Sequence, residues 1–137
     1  MDRVPDFPPP AGDPATAPFW DATKQGALRL PACPVCHEWQ WYPLGGLPCH
    51  PDQSLEWRIV QGLGTIFTFT RVERAFLPSG GEPPYTIALV ELDDAPGHRL
   101  VTVLVGPGCE RPAIGDRVCL APTVLPTHTL PTFSIAA

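Results

Sequence analysis

The chain has 137 residues, a net charge of −5 and only nine Lys and Arg. That is room for one compact domain with a small appendage, and it leaves no basic field of the kind that neutralises nucleic-acid phosphates. Twenty prolines, about three times the usual share of roughly 5%, exclude long helices and favour short strands joined by turns. No apolar run reaches 18 residues, so no membrane-spanning helix is expected, and MDRVPDFPPP lacks the apolar stretch of a secretory signal.

In chain order, residues 1–18 read as a proline-rich flexible tail, extended where prolines fix φ and remove donors. A strap lying on a partner subunit is the functional alternative. FWDATKQGA (19–27) reads as a short helix that Gly26 can terminate, with Phe19, Trp20 and Thr23 on one face. Two large aromatics on so short a helix must pack on the domain or on another chain.

Cys33-Pro-Val-Cys36 follows, and a third cysteine, Cys49, comes after a 12-residue spacer. Cysteines two apart can turn both sulfurs onto one metal, and a second cluster across a hairpin then completes a tetrahedral zinc site. The second cluster has no fourth cysteine. Asp52 stands three residues after Cys49 and His50 lies between them, so Asp52 or His50 is the candidate fourth ligand of a structural zinc. His37, beside Cys36, is a less well-placed alternative. LRLPA (28–32) and WQWYP (39–43) flank the CxxC as arms of a hairpin, and LGGLP (44–48) turns back to Cys49. Residues 19–54 therefore read as a helix and rubredoxin-like zinc ribbon, a unit too small to bury enough apolar area, so that metal binding would supply much of its folding energy. Five cysteines, an odd number with two in a CxxC, fit a reducing, cytoplasmic setting rather than a disulfide framework.

From residue 55 the pattern changes to alternating strands. LEWRIVQ (55–61) leads through Gly62-Leu-Gly64, a bend or bulge, into TIFTFTRVER (65–74). AFLPSGGEPP (75–84) is a loop. YTIALVELDD (85–94) and HRLVTVLVG (98–106) form a hairpin, and DRVCLAPTVL (116–125) and LPTFSIAA (130–137) complete the set. Five strands with a coil before the fourth predict a Greek-key OB-fold barrel over 55–137. The fold class is mainly β.

No catalytic set is visible. None of three serines sits in a G-x-S-x-G elbow, His98 and His128 have no carboxylate or nucleophile at a catalytic spacing in the sequence, and no glycine pattern cradles phosphate, so no organic cofactor is expected. Arg71 and Arg74 open the 75–84 loop beside Phe76, with Tyr85 beyond it. Guanidinium groups with apolar neighbours suit a protein interface or an acyl-CoA.

The ordered set of an FW helix, a CxxC ribbon, LEW (55–57), GTIFTFT (64–70), PYTIALVELDD (84–94) and IGDRV (114–118) resembles the zinc-ribbon and OB-fold acyl-CoA-associated proteins over residues 19 to about 135. The resemblance implies an accessory subunit of a thiolase-like enzyme. Such enzymes include acyltransferases and lipid-transfer-protein-type aldolases of steroid side-chain breakdown, the latter supplied by a MaoC-like hydratase. It further implies a heterotetramer, no activity of the chain alone, and an acyl-CoA shared with the partner. Phe19, Trp20, Arg71, Arg74, Phe76 and Tyr85 would then be contacts to partner or acyl-CoA. Family ribbons usually carry two CxxC pairs, and this one departs at the fourth cysteine. A zinc-ribbon and OB-fold nucleic-acid-binding module is the alternative, opposed by the negative charge.

Overall fold

The computed structural model describes residues 4–5, 13–43, 46–74 and 83–136. The helix α1 (Ala17–Lys24) starts two residues before the FW pair, with Pro18 in its first turn, where a missing N–H costs nothing. Gly26, at φ +76°, ends it. The N–H of Ala27 reaches back to Ala22 O and that of Gly26 to Thr23 O, a Schellman closure that needs the left-handed conformation.

The strand β1 (Leu28–Ala32) pairs antiparallel with β2 (Glu56–Val60), Leu28 opposite Val60 and Ala32 opposite Glu56. The expected hairpin across the CxxC is present but short. The 39–43 arm contributes one bridge, Trp39 to Ala32, and bonds from Gln40 N to Pro31 O and Cys33 N to Glu38 O. Its aromatic side chains turn toward α1 instead of extending a ladder.

The remaining long strands close a barrel in the order β3 (Leu63–Val72), β4 (Tyr85–Leu92), β5 (Arg99–Val105), β9 (Phe133–Ile135) and β6 (Arg117–Leu120). This is the five-stranded OB-type barrel that the sequence predicts. Alternation fixes the inner face: Ala88, Val90 and Leu92 of β4 and Leu100 and Leu104 of β5 are buried, with Ile66, Val118 and Phe133 filling the middle. Burial of each of these side chains larger than alanine contributes about 1.5–3 kcal/mol. The register slips between Ile66 and Thr68. There the strand leaves β4 and binds the turn before β6, with Ile66 N donating to Asp116 O and Gly115 N to Ile66 O. β9 pairs parallel with β5 and antiparallel with β6. The stretches 116–125 and 130–137 each break in two, yielding a small antiparallel pair, β7 (Thr123–Val124) and β8 (Thr129–Leu130), beside the barrel.

The same alternation leaves Phe67, Phe69 and Val101 partly exposed on the outside. The Arg99 guanidinium lies 3.6 Å from the centre of the Phe67 ring. Among the described residues no helix is long and apolar enough to cross a membrane.

Candidate metal centre and aromatic groove

The first knuckle is a tight turn: Cys33 N donates to Glu38 O and His37 N to Cys33 O. His37 sits at φ +65°. A second turn, closed by Gln53 N to His50 O, presents Cys49 and His50 to the first. The ligand atoms of Cys33, Cys36, Cys49 and His50 all lie within 4.8 Å of one another. Cys33 Sγ is 3.3 Å from His50 Nδ1, and Cys36 Sγ is 3.5 Å from Cys49 Sγ. Donors around one tetrahedral zinc, at bond lengths of about 2.0–2.3 Å, stand roughly 3.3–3.8 Å apart. The three-sulfur, one-imidazole set therefore suits zinc in chemistry, and these two of its edges already have the tetrahedral length.

Asp52 is exposed and outside this cluster, so His50 is the group brought into the fourth position. His37 is also outside it, bonded through Nδ1 to Arg58, which in turn holds Glu56. None of the five cysteines is in a disulfide.

The electrostatics favour a cation. Burial works to raise the Cys33 thiol, yet the backbone N–H groups of Cys36 and Val35 and the neighbouring sulfurs hold it down at about 6. Cys49 is driven the other way, to about 11, by desolvation and by the sulfurs of Cys36 and Cys33. One thiolate is ready at neutral pH, and crowding opposes another until a positive charge offsets it.

The aromatic residues form a ladder beside this centre. Phe19 meets Trp20 edge-on at 5.1 Å and Trp41 at 4.9 Å, and Trp41 meets Tyr42 at 4.5 Å between ring centres. Phe19 is core, only 3% exposed, while Trp20 is half-buried. Between Trp20, Trp41 and Tyr42 on one side and the β5 face on the other runs an apolar cavity of about 510 Å³. Sequence reasoning missed it, because it is built from segments eighty residues apart.

The other contact candidates lie elsewhere. Arg71, half-buried, donates to Thr86 Oγ1 at 3.0 Å and lies 3.8 Å from Glu73; Thr86 in turn donates to Cys109 O. Arg74 is exposed and Tyr85 is buried, 8% exposed. Phe76 and most of its loop lie outside the described residues.

The family model described as the ChsH2 C-terminal OB-fold domain matches residues 57–121. A solved structure described as the Ltp2-ChsH2(DUF35) aldolase is 30% identical and superposes with a TM-score of 0.82, covering 94% of this chain and 100% of its own. The chain belongs to the ChsH2, or DUF35, family. That is the OB-fold acyl-CoA-associated family which its ordered motifs resemble. A DUF35-family protein of unknown function from Sulfolobus solfataricus aligns at 13% identity, with a TM-score of 0.58 over 90% of this chain and 86% of its own, and shows the shared DUF35 fold. No curated protein matches the chain.

Proposed function

We propose that this DUF35 chain is the accessory subunit of a thiolase-like, lipid-transfer-protein-type aldolase. The observation that carries this reading is its full-length correspondence, at 30% identity, to a solved chain from the Ltp2-ChsH2(DUF35) aldolase. In retro-aldol cleavage a base removes the β-hydroxyl proton of a β-hydroxyacyl-CoA. The Cα–Cβ bond then breaks to leave a carbonyl compound and a thioester enolate, which takes up a proton. Among the described residues, the cavity is lined by no carboxylate, histidine, cysteine or lysine. In this reading the acid and base of the reaction are the partner's, and a zinc held by the ribbon would be a fastener that ties the two knuckles together.

In this reading the complex is a heterotetramer, and a MaoC-like hydratase supplies the β-hydroxyacyl-CoA. Arg71 and Arg74, which open the 75–84 loop, contact the partner or its acyl-CoA, while Trp20, backed by the buried Phe19, braces the partner-facing side. A steroid side chain is the preferred acyl group, by family analogy. The nucleic-acid alternative gains nothing from the groove, whose lining holds no lysine or arginine to meet a phosphate backbone.

The test is a pull-down of the tagged chain from its native cell, with partners identified by mass spectrometry. A thiolase-fold protein is expected to co-elute, and the complex, unlike the isolated chain, to cleave a β-hydroxyacyl-CoA. A chain that always elutes alone, or a partner equally active and stable without it, overturns the reading.

A further inference from the structure

The four clustered ligands divide by exposure. Cys33 is fully buried, 0% exposed, and its Sγ lies against His50 Nδ1 at 3.3 Å. Cys36 and Cys49 are the two exposed cysteines of the chain, and their sulfurs stand 3.5 Å apart across the two knuckles. Cys109 is buried, and the half-buried Cys119 has its Sγ against Ser134 Oγ.

Exposure decides which sulfur a dissolved oxidant reaches, and a neighbouring thiol decides what becomes of the product. An oxidised sulfur with no thiol beside it stays a sulfenic acid or goes on to the sulfinic acid. One with a second thiol at hand closes a disulfide. At 3.5 Å the Cys36 and Cys49 sulfurs are already in contact, and an approach of about 1.5 Å brings them to bonding distance. His50 sharpens the division. An imidazole in place of a fourth cysteine leaves three thiols at the centre, so the site has thiols for one disulfide only. Once Cys36 and Cys49 are joined, Cys33 and His50 remain, two ligands where a structural zinc takes four.

We propose that Cys36 and Cys49 form an oxidative modification site for peroxides, closing to a disulfide that ties the knuckles in place of a metal. One exposed thiolate attacks an oxygen of hydrogen peroxide, and the O–O bond breaks to leave a sulfenic acid and hydroxide. The second thiolate attacks that sulfur; the S–S bond forms, the S–O bond breaks and a second hydroxide leaves. The two sulfurs have together lost two electrons, which the peroxide has gained, and two protons from solvent convert the hydroxides to water. The proposal concerns the chain's own thiols and is independent of the aldolase reading.

The experiment treats the reduced full-length chain with hydrogen peroxide, in one sample loaded with zinc and in another stripped by a chelator. Zinc release is followed with a chromogenic chelator. Remaining thiols are alkylated and disulfides located by peptide mass spectrometry. The expected product in both samples is one intramolecular Cys36–Cys49 disulfide, with Cys33, Cys109 and Cys119 still alkylated. The loaded sample should release one zinc for each disulfide formed, and dithiothreitol should restore both thiols. Cys49→Ser should carry the oxidation no further than a sulfenic or sulfinic acid on Cys36, whereas Cys119→Ser should behave as the wild type. The stripped sample reads the pairing even where a variant no longer holds zinc. A disulfide that contains Cys33, a disulfide between two chains, or sulfinic acids on Cys36 and Cys49 with no disulfide overturns the proposal. Zinc still held after the disulfide has formed overturns the division of the ligands.

Discussion

His50 and Asp52 sit two residues apart, and only His50 has its ring among the three sulfurs. His50→Ala is therefore expected to lower zinc content well below one equivalent, and Cys33→Ser to abolish tight binding, while Asp52→Ala leaves it unchanged. Metal analysis after gel filtration measures all three. A second local pair reports on acid stability. Arg117 makes a forked contact with Asp93, Nη1 to Oδ1 at 2.8 Å, and also donates to Thr65. The hydrogen bond and charge of Arg117 hold the Asp93 carboxyl below its ordinary value. A folded pKa below the unfolded one, about 3.9, gives stability that is present above that value and lost as pH falls through the lowered one. Between pH 5 and pH 3 the urea midpoint of the wild type should fall more steeply than that of Asp93→Asn. Salt should shrink the difference, since both partners are solvent-exposed.

Among the elements, β3 and α1 make two glycines necessary for different reasons. A Cβ on Gly64 would lie 2.6 Å from both Glu91 O and Val90 Cγ1, so β3 runs against β4 with no room for a side chain. Gly64→Ala is expected to cost about 1–3 kcal/mol. Gly26 has open space around it, and its requirement is the left-handed turn after α1. Gly26→Ala should cost about 1–2 kcal/mol, both losses read from urea unfolding. Gly26 was legible as a helix terminator because its signal is local. The β4–β5 hairpin was legible for the same reason: strict alternation over 85–92 and 99–105 fixes strand type and inner face together. The pairing of β1 with β2 was not, since nothing local in LRLPA points to a partner more than twenty residues on. Ligand spacing also misled. Counting three from Cys49 picks Asp52, whereas the turn closed by Gln53 N on His50 O presents the imidazole.

For the molecule as a whole, a metal held by Cys33, Cys36, Cys49 and His50 would be a source of stability distinct from the barrel core. The barrel interior is filled by side chains such as Ile66, Val90, Leu104 and Phe133, whereas among the described residues the knuckles have only Trp39 and Trp41 packed against that core and would be tied through the four ligands. A chelator is therefore expected to change the near-ultraviolet signal of Trp39 and Trp41 while the β-sheet signal in the far ultraviolet persists. Simultaneous loss of both signals would mean that the ribbon and barrel unfold as one unit. The shape of the groove was invisible in the sequence because its walls come from α1, the segment after the knuckle and β5, which only the folded chain brings together.

The barrel closes through β9, which lies between β5 and β6 and pairs with both. During synthesis, β3 to β6 leave the ribosome with that slot open, and two strand edges wait unpaired until residues 133–135 clear the exit tunnel. Late closure by a distant strand slows folding and leaves the nascent chain exposed to edge-to-edge association. Residues 133–135 thus decide when the two barrel edges are covered.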